Sequence, residues 1–232
     1  MPGAPACDSR RCMIDIAHHI QRISVLAVPL LLALCVHEVA HGLVAFRLGD
    51  PTARQAGRLT LNPLKHLDPI GTIAFFFVNI GWGRPVPVDA RYFKNPRKGM
   101  MLVAIAGPVS NFLLACLFAV GFHLIEGTSV SDPEGVAMKI LYPMLLICQA
   151  GVFVNLILGV FNLLPIPPLD GSSILAYFLP ARLAYNYMQL RRYGFFIVIG
   201  LVLLGNFTGF SVLGALLFPP VEFLGHLLGV PT

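Results

Sequence analysis

Charge is what this chain has least of. Only 12% of its 232 residues are Asp, Glu, Lys or Arg, against about 25% in a soluble domain. That scarcity argues against a water-soluble globule and for a protein embedded in a membrane. Acidic residues are the rarer sign, 11 against 16 Lys and Arg. The resulting +5 does not point to nucleic acid, because the basic residues lie in loops between apolar runs, where they report topology. Cysteine is also scarce. Cys7, Cys12, Cys35, Cys116 and Cys148 are odd in number and lack paired metal spacing, which speaks against a disulfide framework. No internal repeat, low-complexity tract or appended soluble domain is visible.

What the chain does have is long apolar runs. A membrane-spanning helix needs roughly 20 mostly apolar residues. Four runs reach that length, at 23–46, 100–122, 140–166 and 195–221. The first carries a single formal charge, Glu38, and the other three carry none. The run "PIGTIAFFFVNIGWG" from Pro69 is too short to span. Its Pro/Gly borders and β-favouring centre predict a re-entrant β-hairpin, which is tolerated at membrane depth only against protein or a wet cavity. The run "SSILAYFLPARLAYNYM" mixes apolar and polar residues and reads as an interfacial helix. The expected fold is therefore an all-α integral membrane protein of about four transmembrane helices. A polar segment at 1–22 precedes a single domain at 23–221, and a tail at 222–232 follows it. Arg10, Arg11 and Arg22 before the first run look like a signal peptide. That run is too long for one and is read as a retained span. Loops 47–99 and 180–194 hold twelve Lys and Arg against four on the other side, which puts them in the cytoplasm.

Inside the first run stands "HEVAH". His37 and His41 are four residues apart on a predicted helix, so both imidazoles leave one face. Two neutral imidazoles can bind one zinc ion, with Glu38 beside them to take a proton from water. A chain with seven His and four Glu shows this pattern by chance roughly 0.004 times. A buried polar network or proton path is the other reading, and intramembrane ionisable residues make even that one functional.

A catalytic zinc usually has three protein ligands and one open position. The metzincin continuation would need His at position 47, where this chain has Arg47. Glu126 and Glu134 fall on the opposite side of the membrane. Asp170 approaches the same depth as the histidines from the same side. It follows "LPIPPL", whose prolines at 165, 167 and 168 cannot continue a helix, and Gly171 permits a sharp turn after it. Asp50 and His66 are weaker candidates. Asn111, mid-span in "AGPVSN", suits either a donor to a substrate carbonyl or oxyanion or a helix–helix hydrogen bond beside Gly107 and Ser110. Asn155 and Asn162 suit either substrate contact or a bond to a neighbouring helix.

Together "HEVAH", "AGPVSN" and "NLLPIPPLDG" resemble the site-2 protease family of intramembrane zinc metalloproteases, peptidase family M50. "GRLTLNPLKHLDPIGT" and "GWGRPVPVDARYFKNPRKGMMLVAIAGPVSN" look like its small bacterial branch without PDZ or CBS domains. The resemblance covers roughly residues 23–215. It implies one Zn2+ per chain on His37, His41 and Asp170, Glu38 as catalytic acid–base, and Asn111 as a substrate-binding or polarising residue. It also implies transmembrane protein substrates, a three-helix catalytic core and a bacterial or archaeal cell membrane; the loop charges put the active site nearer the cytoplasm. A homo-oligomer remains open. A zinc carrier or a non-cleaving membrane adaptor are the competing classes. The outer halves of the spans offer few polar residues for a transport path, and simple client binding does not need Glu38.

Overall fold

The structure is a computed structural model that describes residues 9–69, 71, 83–128 and 135–231, with side chains from Ser24 onward except at 195 and 206. It is all-α among the described residues, apart from an isolated antiparallel bridge between Leu67 and Gly83. The α-helices whose bounds lie in the described residues are α1 (Ser9–Arg47), α2 (Thr52–Gln55), α3 (Pro96–Glu126), α4 (Val136–Leu163), α5 (Asp170–Phe178), α6 (Ala181–Gln189), α7 (Gly194–Thr208) and α8 (Val212–Leu227). Three of them contain stretches long and apolar enough to cross a membrane: Ser24–Arg47, Pro96–Glu126 and Val136–Leu163. The chain is an integral membrane protein. The pair Ala181–Tyr193 and Phe196–Gly205, bent by 66°, would make a fourth span if it crossed as one unit. The expected re-entrant hairpin from Pro69 falls largely at 72–82, outside the described residues.

Local chemistry sets the helix ends. The Asn95 side chain accepts from the Lys98 N–H at 3.1 Å, and Pro96 opens α3 with its φ already helical. α4 stops at Leu163, where the prolines that follow withdraw backbone donors. α5 begins at Asp170, whose negative charge suits the positive end of the helix. Pro180 disfavours helical geometry at Leu179, so the expected interfacial helix is two helices, α5 and α6.

The run at 195–221 is likewise two helices rather than the single expected span. α7 ends at Gly209, which has a left-handed φ of 73° and donates its N–H to the Gly205 carbonyl. α8 then starts afresh on Ser211, whose side chain accepts from the Gly214 N–H at 3.0 Å. At 15 and 16 residues, each helix is about 22–24 Å long, short of the roughly 30 Å hydrocarbon core. Beyond α8, Val230 is buried in the core cluster, and Gln149 donates to the Pro231 carbonyl.

The body is a three-helix unit in which α3 packs against both α1 and α4, and α1 also meets α4. One end is filled by Ala115, Ala119 and Phe122 of α3 against Val152 and Leu156 of α4 and Val221 of α8. The other end is filled by Ala45, Phe93 and Val103. That second end carries the polar machinery. There α5 lies against α3, tied by the Arg97 guanidinium, which donates to the carbonyls of Ala176, Tyr177 and Leu179.

Candidate metal centre

α1 delivers His37 and His41 from one face, both buried. Asp170 arrives from the first turn of α5, at the far side of the loop 164–169. The two Nε2 atoms are 3.0 Å apart, and each lies 3.2 Å from Asp170 Oδ2. Among the described residues, this is the group of three side chains whose donor atoms converge closely enough for a metal ion.

The placement of protons shows why the triangle calls for a cation. His41 Nδ1 lies 2.7 Å from the Val103 carbonyl, which can only accept, so that nitrogen carries the proton. His37 donates Nδ1–H to Asn111 Oδ1 at 2.7 Å. Both Nε2 atoms are then bare lone pairs facing a carboxylate oxygen, and Asp170 Oδ2 is buried without a hydrogen-bond donor. Such a cluster of acceptors with little access to solvent is costly unless a cation sits among them. Ligand atoms about 2.0–2.1 Å from a tetrahedral zinc stand roughly 3.3 Å apart, close to the 3.0–3.2 Å observed. Two imidazoles and one carboxylate, with a fourth position left over, are also the donor set of a catalytic zinc site. The residues present fit the ion.

Two glycines make this packing possible. A Cβ on Gly107 of α3 would lie 2.5 Å from His37 Cε1, His41 Cε1 and His41 Nε2. The helix thus lies flush against both rings. A Cβ on Gly171 would lie 2.1 Å from the Leu163 carbonyl oxygen and 2.5 Å from that of Leu164. Gly171 therefore serves close approach of α5 to the end of α4, rather than the sharp turn expected of it, and this seats Asp170. The Tyr187 hydroxyl donates to the Pro165 carbonyl at 2.7 Å and steadies the same loop.

Glu38 stands next to His37 and is half-buried. Its Oε2 accepts the Val86 N–H at 2.8 Å, from the extended segment 84–89. That segment is itself fastened, since Arg84 donates its N–H to the His66 carbonyl at 2.7 Å and the Arg58 guanidinium donates to the Arg84 carbonyl. A backbone donor of this kind has no sequence signature, and Val86 was not among the expected site residues.

The remaining candidates are placed elsewhere or differently. Asn111 is buried behind His37. Its two amide protons go to the Ala33 carbonyl at 3.2 Å and Asn155 Oδ1 at 3.0 Å, so this arrangement leaves no proton for a substrate carbonyl. Asn155 donates to the Gly151 carbonyl and Asn162 to the Leu158 carbonyl, both within α4. The Asp50 carboxylate is a bracket, accepting from Thr52 and from the Asp89 N–H. His66 is bonded to the Thr60 carbonyl, outside the triangle. Glu126 lies at the opposite end of α3 beside His123, and Glu134 is outside the described residues.

The sequence model of the family described as "Peptidase family M50" matches residues 129–205, which include Asp170. The chain is also 41% identical over 194 residues to the candidate zinc metalloprotease YwhC of Bacillus subtilis (strain 168), an alignment that covers 82% of this chain and 86% of YwhC. The chain belongs to peptidase family M50, the site-2 protease family. Candidate zinc metalloproteases named Rip2 are further relatives. The Mycolicibacterium smegmatis protein is 29% identical over 181 residues, covering 75% of this chain and 64% of Rip2. The Mycobacterium tuberculosis protein is 32% identical over 155 residues, covering 62% and 53%. No solved structure matches the chain. As an M50 peptidase it is a zinc-dependent protease, a hydrolase. Its long apolar helices hold it in a membrane.

Proposed function

We propose that the chain hydrolyses peptide bonds within or near the transmembrane segments of other membrane proteins. His37, His41 and Asp170 would hold the zinc, with Glu38 as the acid–base. The observation that carries this reading is the triangle of three proton-free donor atoms, two on the membrane-spanning helix α1 and one at the start of the short helix α5 packed against the spanning bundle. His41 lies six residues before the end of α1, about 9 Å along the axis. Water from that side has a short path, and the basic loops argue that this side is the cytoplasm of a bacterial or archaeal cell.

Zinc bound there supplies Lewis acidity, which polarises a carbonyl oxygen and lowers the pKa of water. The protein's own residues do the rest. Asn111 and the Val103 carbonyl hold both imidazoles with Nε2 forward. The Val86 N–H fixes one oxygen of Glu38 and thereby the direction of the other. Glu38 takes the proton from the attacking water and returns it to the leaving amine. The apolar surroundings strengthen each of these charge interactions.

The test is cleavage of tagged single-span proteins in detergent by wild type and Glu38→Gln, with and without a zinc chelator. Fragments cut within the span should be lost in the variant and with chelator, while Glu38→Gln keeps its zinc. A Glu38→Gln protein that cleaves at the wild-type rate removes Glu38 from the chemistry.

A further inference from the structure

We propose that Asn155 is a positioning residue of the metal centre, and that through it a backbone carbonyl of α4, together with a carbonyl of α1 acting directly on Asn111, dictates which nitrogen of His37 is offered to the metal. This inference rests on the reading of His37 as a metal ligand. Asn155 and Asn111 are both fully buried, at 0% exposure, so each amide must find its partners inside the protein. An amide oxygen only accepts and an amide NH2 only donates. That rule gives the chain of bonds a direction.

It starts at the Gly151 carbonyl, which can only accept. Asn155 must turn its NH2 there, at 2.8 Å. Its Oδ1 is then committed to the other side, where it accepts from Asn111 Nδ2 at 3.0 Å. The second Asn111 proton goes to the Ala33 carbonyl at 3.2 Å, again a pure acceptor. Only Oδ1 of Asn111 remains for His37 Nδ1, at 2.7 Å. His37 must hold its proton on Nδ1, leaving Nε2 as a lone pair on the metal side. Turning the Asn111 amide over would set its oxygen against two acceptors. Its NH2 would face His37 and favour the tautomer with Nε2 protonated, which cannot bind a metal through that nitrogen. His41 needs no such relay, since the Val103 carbonyl fixes its tautomer in one step. All three spanning helices therefore take part in aiming His37. α1 carries the ring, α3 carries Asn111, and α4 supplies the reference that orients both.

The measurement is the zinc dissociation constant of the full chain in detergent, by competition with a chelating dye. Wild type, Asn155→Leu, Asn155→Ala, Asn155→Asp, Asn111→Leu, the Asn111→Leu/Asn155→Leu double variant and His37→Ala would be compared. Melting temperature in chelator gives the stability of each metal-free protein. Outer-shell partners of metal-bound histidines are worth roughly 10- to 100-fold in affinity, so Asn155→Leu and Asn155→Ala should weaken zinc binding about tenfold. Asn155→Asp, kept neutral by burial, still accepts from Asn111 and can donate to the Gly151 carbonyl. It should stay within about threefold of wild type. In the Asn111→Leu background the Asn155 effect should vanish, because the relay is already cut. Wild-type affinity in both Asn155→Leu and Asn155→Ala, or effects of Asn111 and Asn155 that simply add, would overturn the relay. Equal zinc loss in all three Asn155 variants, tracking lost metal-free stability, would reduce Asn155 to a structural contact and overturn it too. If His37→Ala binds zinc as tightly as wild type, the metal site is misassigned and the relay falls with it, an outcome distinct from the others.

Discussion

Replacing Gly107 by Ala adds one methyl group at the point where α3 touches both imidazoles. The new carbon would stand 2.5 Å from His37 Cε1, His41 Cε1 and His41 Nε2, where apolar contacts settle at about 3.5–4.0 Å. Relief therefore requires the rings or the helix to move by about 1 Å. Neither ring is free to slide, since His37 is held at Nδ1 by Asn111 and His41 at Nδ1 by the Val103 carbonyl. A metal site tolerates about 0.2 Å in its ligand distances. Overpacking of this kind costs about 1–3 kcal/mol. Falling on the metal-bound arrangement, that is roughly a 5- to 150-fold loss of zinc affinity. The assay is dye competition for zinc in detergent, with melting in chelator as the folding control. Gly200→Ala is the matched control, because a Cβ there meets nothing within 4 Å. A Gly107→Ala protein that binds zinc within about twofold of wild type, a change well below 1 kcal/mol, would refute the claim that α3 packs flush on the ligands.

Other outcomes follow from the same geometry. Gly171→Ala puts a carbon 2.1 Å from the Leu163 carbonyl oxygen, and backbone cannot yield as a side chain can. The protein should lose zinc and cleavage together, as metal analysis of the purified variant would show. Val86→Pro removes the N–H that Glu38 accepts. A hydrogen bond to a charged group is worth about 1.5–3 kcal/mol, so kcat should fall at least about tenfold while zinc content stays at the wild-type level. Hydrogen bonds from Arg91 hold the Asp89 carboxyl below the usual carboxylate range. The folded pKa being depressed, the contribution of this pair is complete at neutral pH and fades as pH drops below about 4. Asp89→Asn should flatten that small acid dependence of the melting temperature.

The meeting of His37, His41 and Asp170 was legible because its signals are local. The spacing of "HEVAH" puts two imidazoles on one helix face, and the prolines before Asp170 end a helix at the depth of those imidazoles. The three packed helices were legible from the length of their apolar runs. The break near residue 209 was missed because hydropathy sums over a run and is blind to backbone direction. The signal was present in "TGFS", a glycine suited to end a helix and a serine suited to cap the next. Gly107 could be read only as a small residue, since its necessity lies in what stands opposite it. The direction of the Asn111 amide was undetermined for the same reason, because the carbonyls that fix it belong to two other helices. The grip on Glu38 was invisible for a plainer cause: every residue except proline has an N–H.

Asp170 reaches the histidines from a short helix placed after two long ones, and this has a consequence for the chain as a polymer. An ion shared by His37, His41 and Asp170 is a cross-link that closes a ring of about 130 residues. Because the ion binds the folded arrangement and not the unfolded chain, it stabilises the fold through its own binding, by about 2.7 kcal/mol at a free concentration 100 times the dissociation constant. The ion that equips the protein to cut other chains also fastens its own, and a protein stripped of zinc should be both inactive and open to the fate of its substrates.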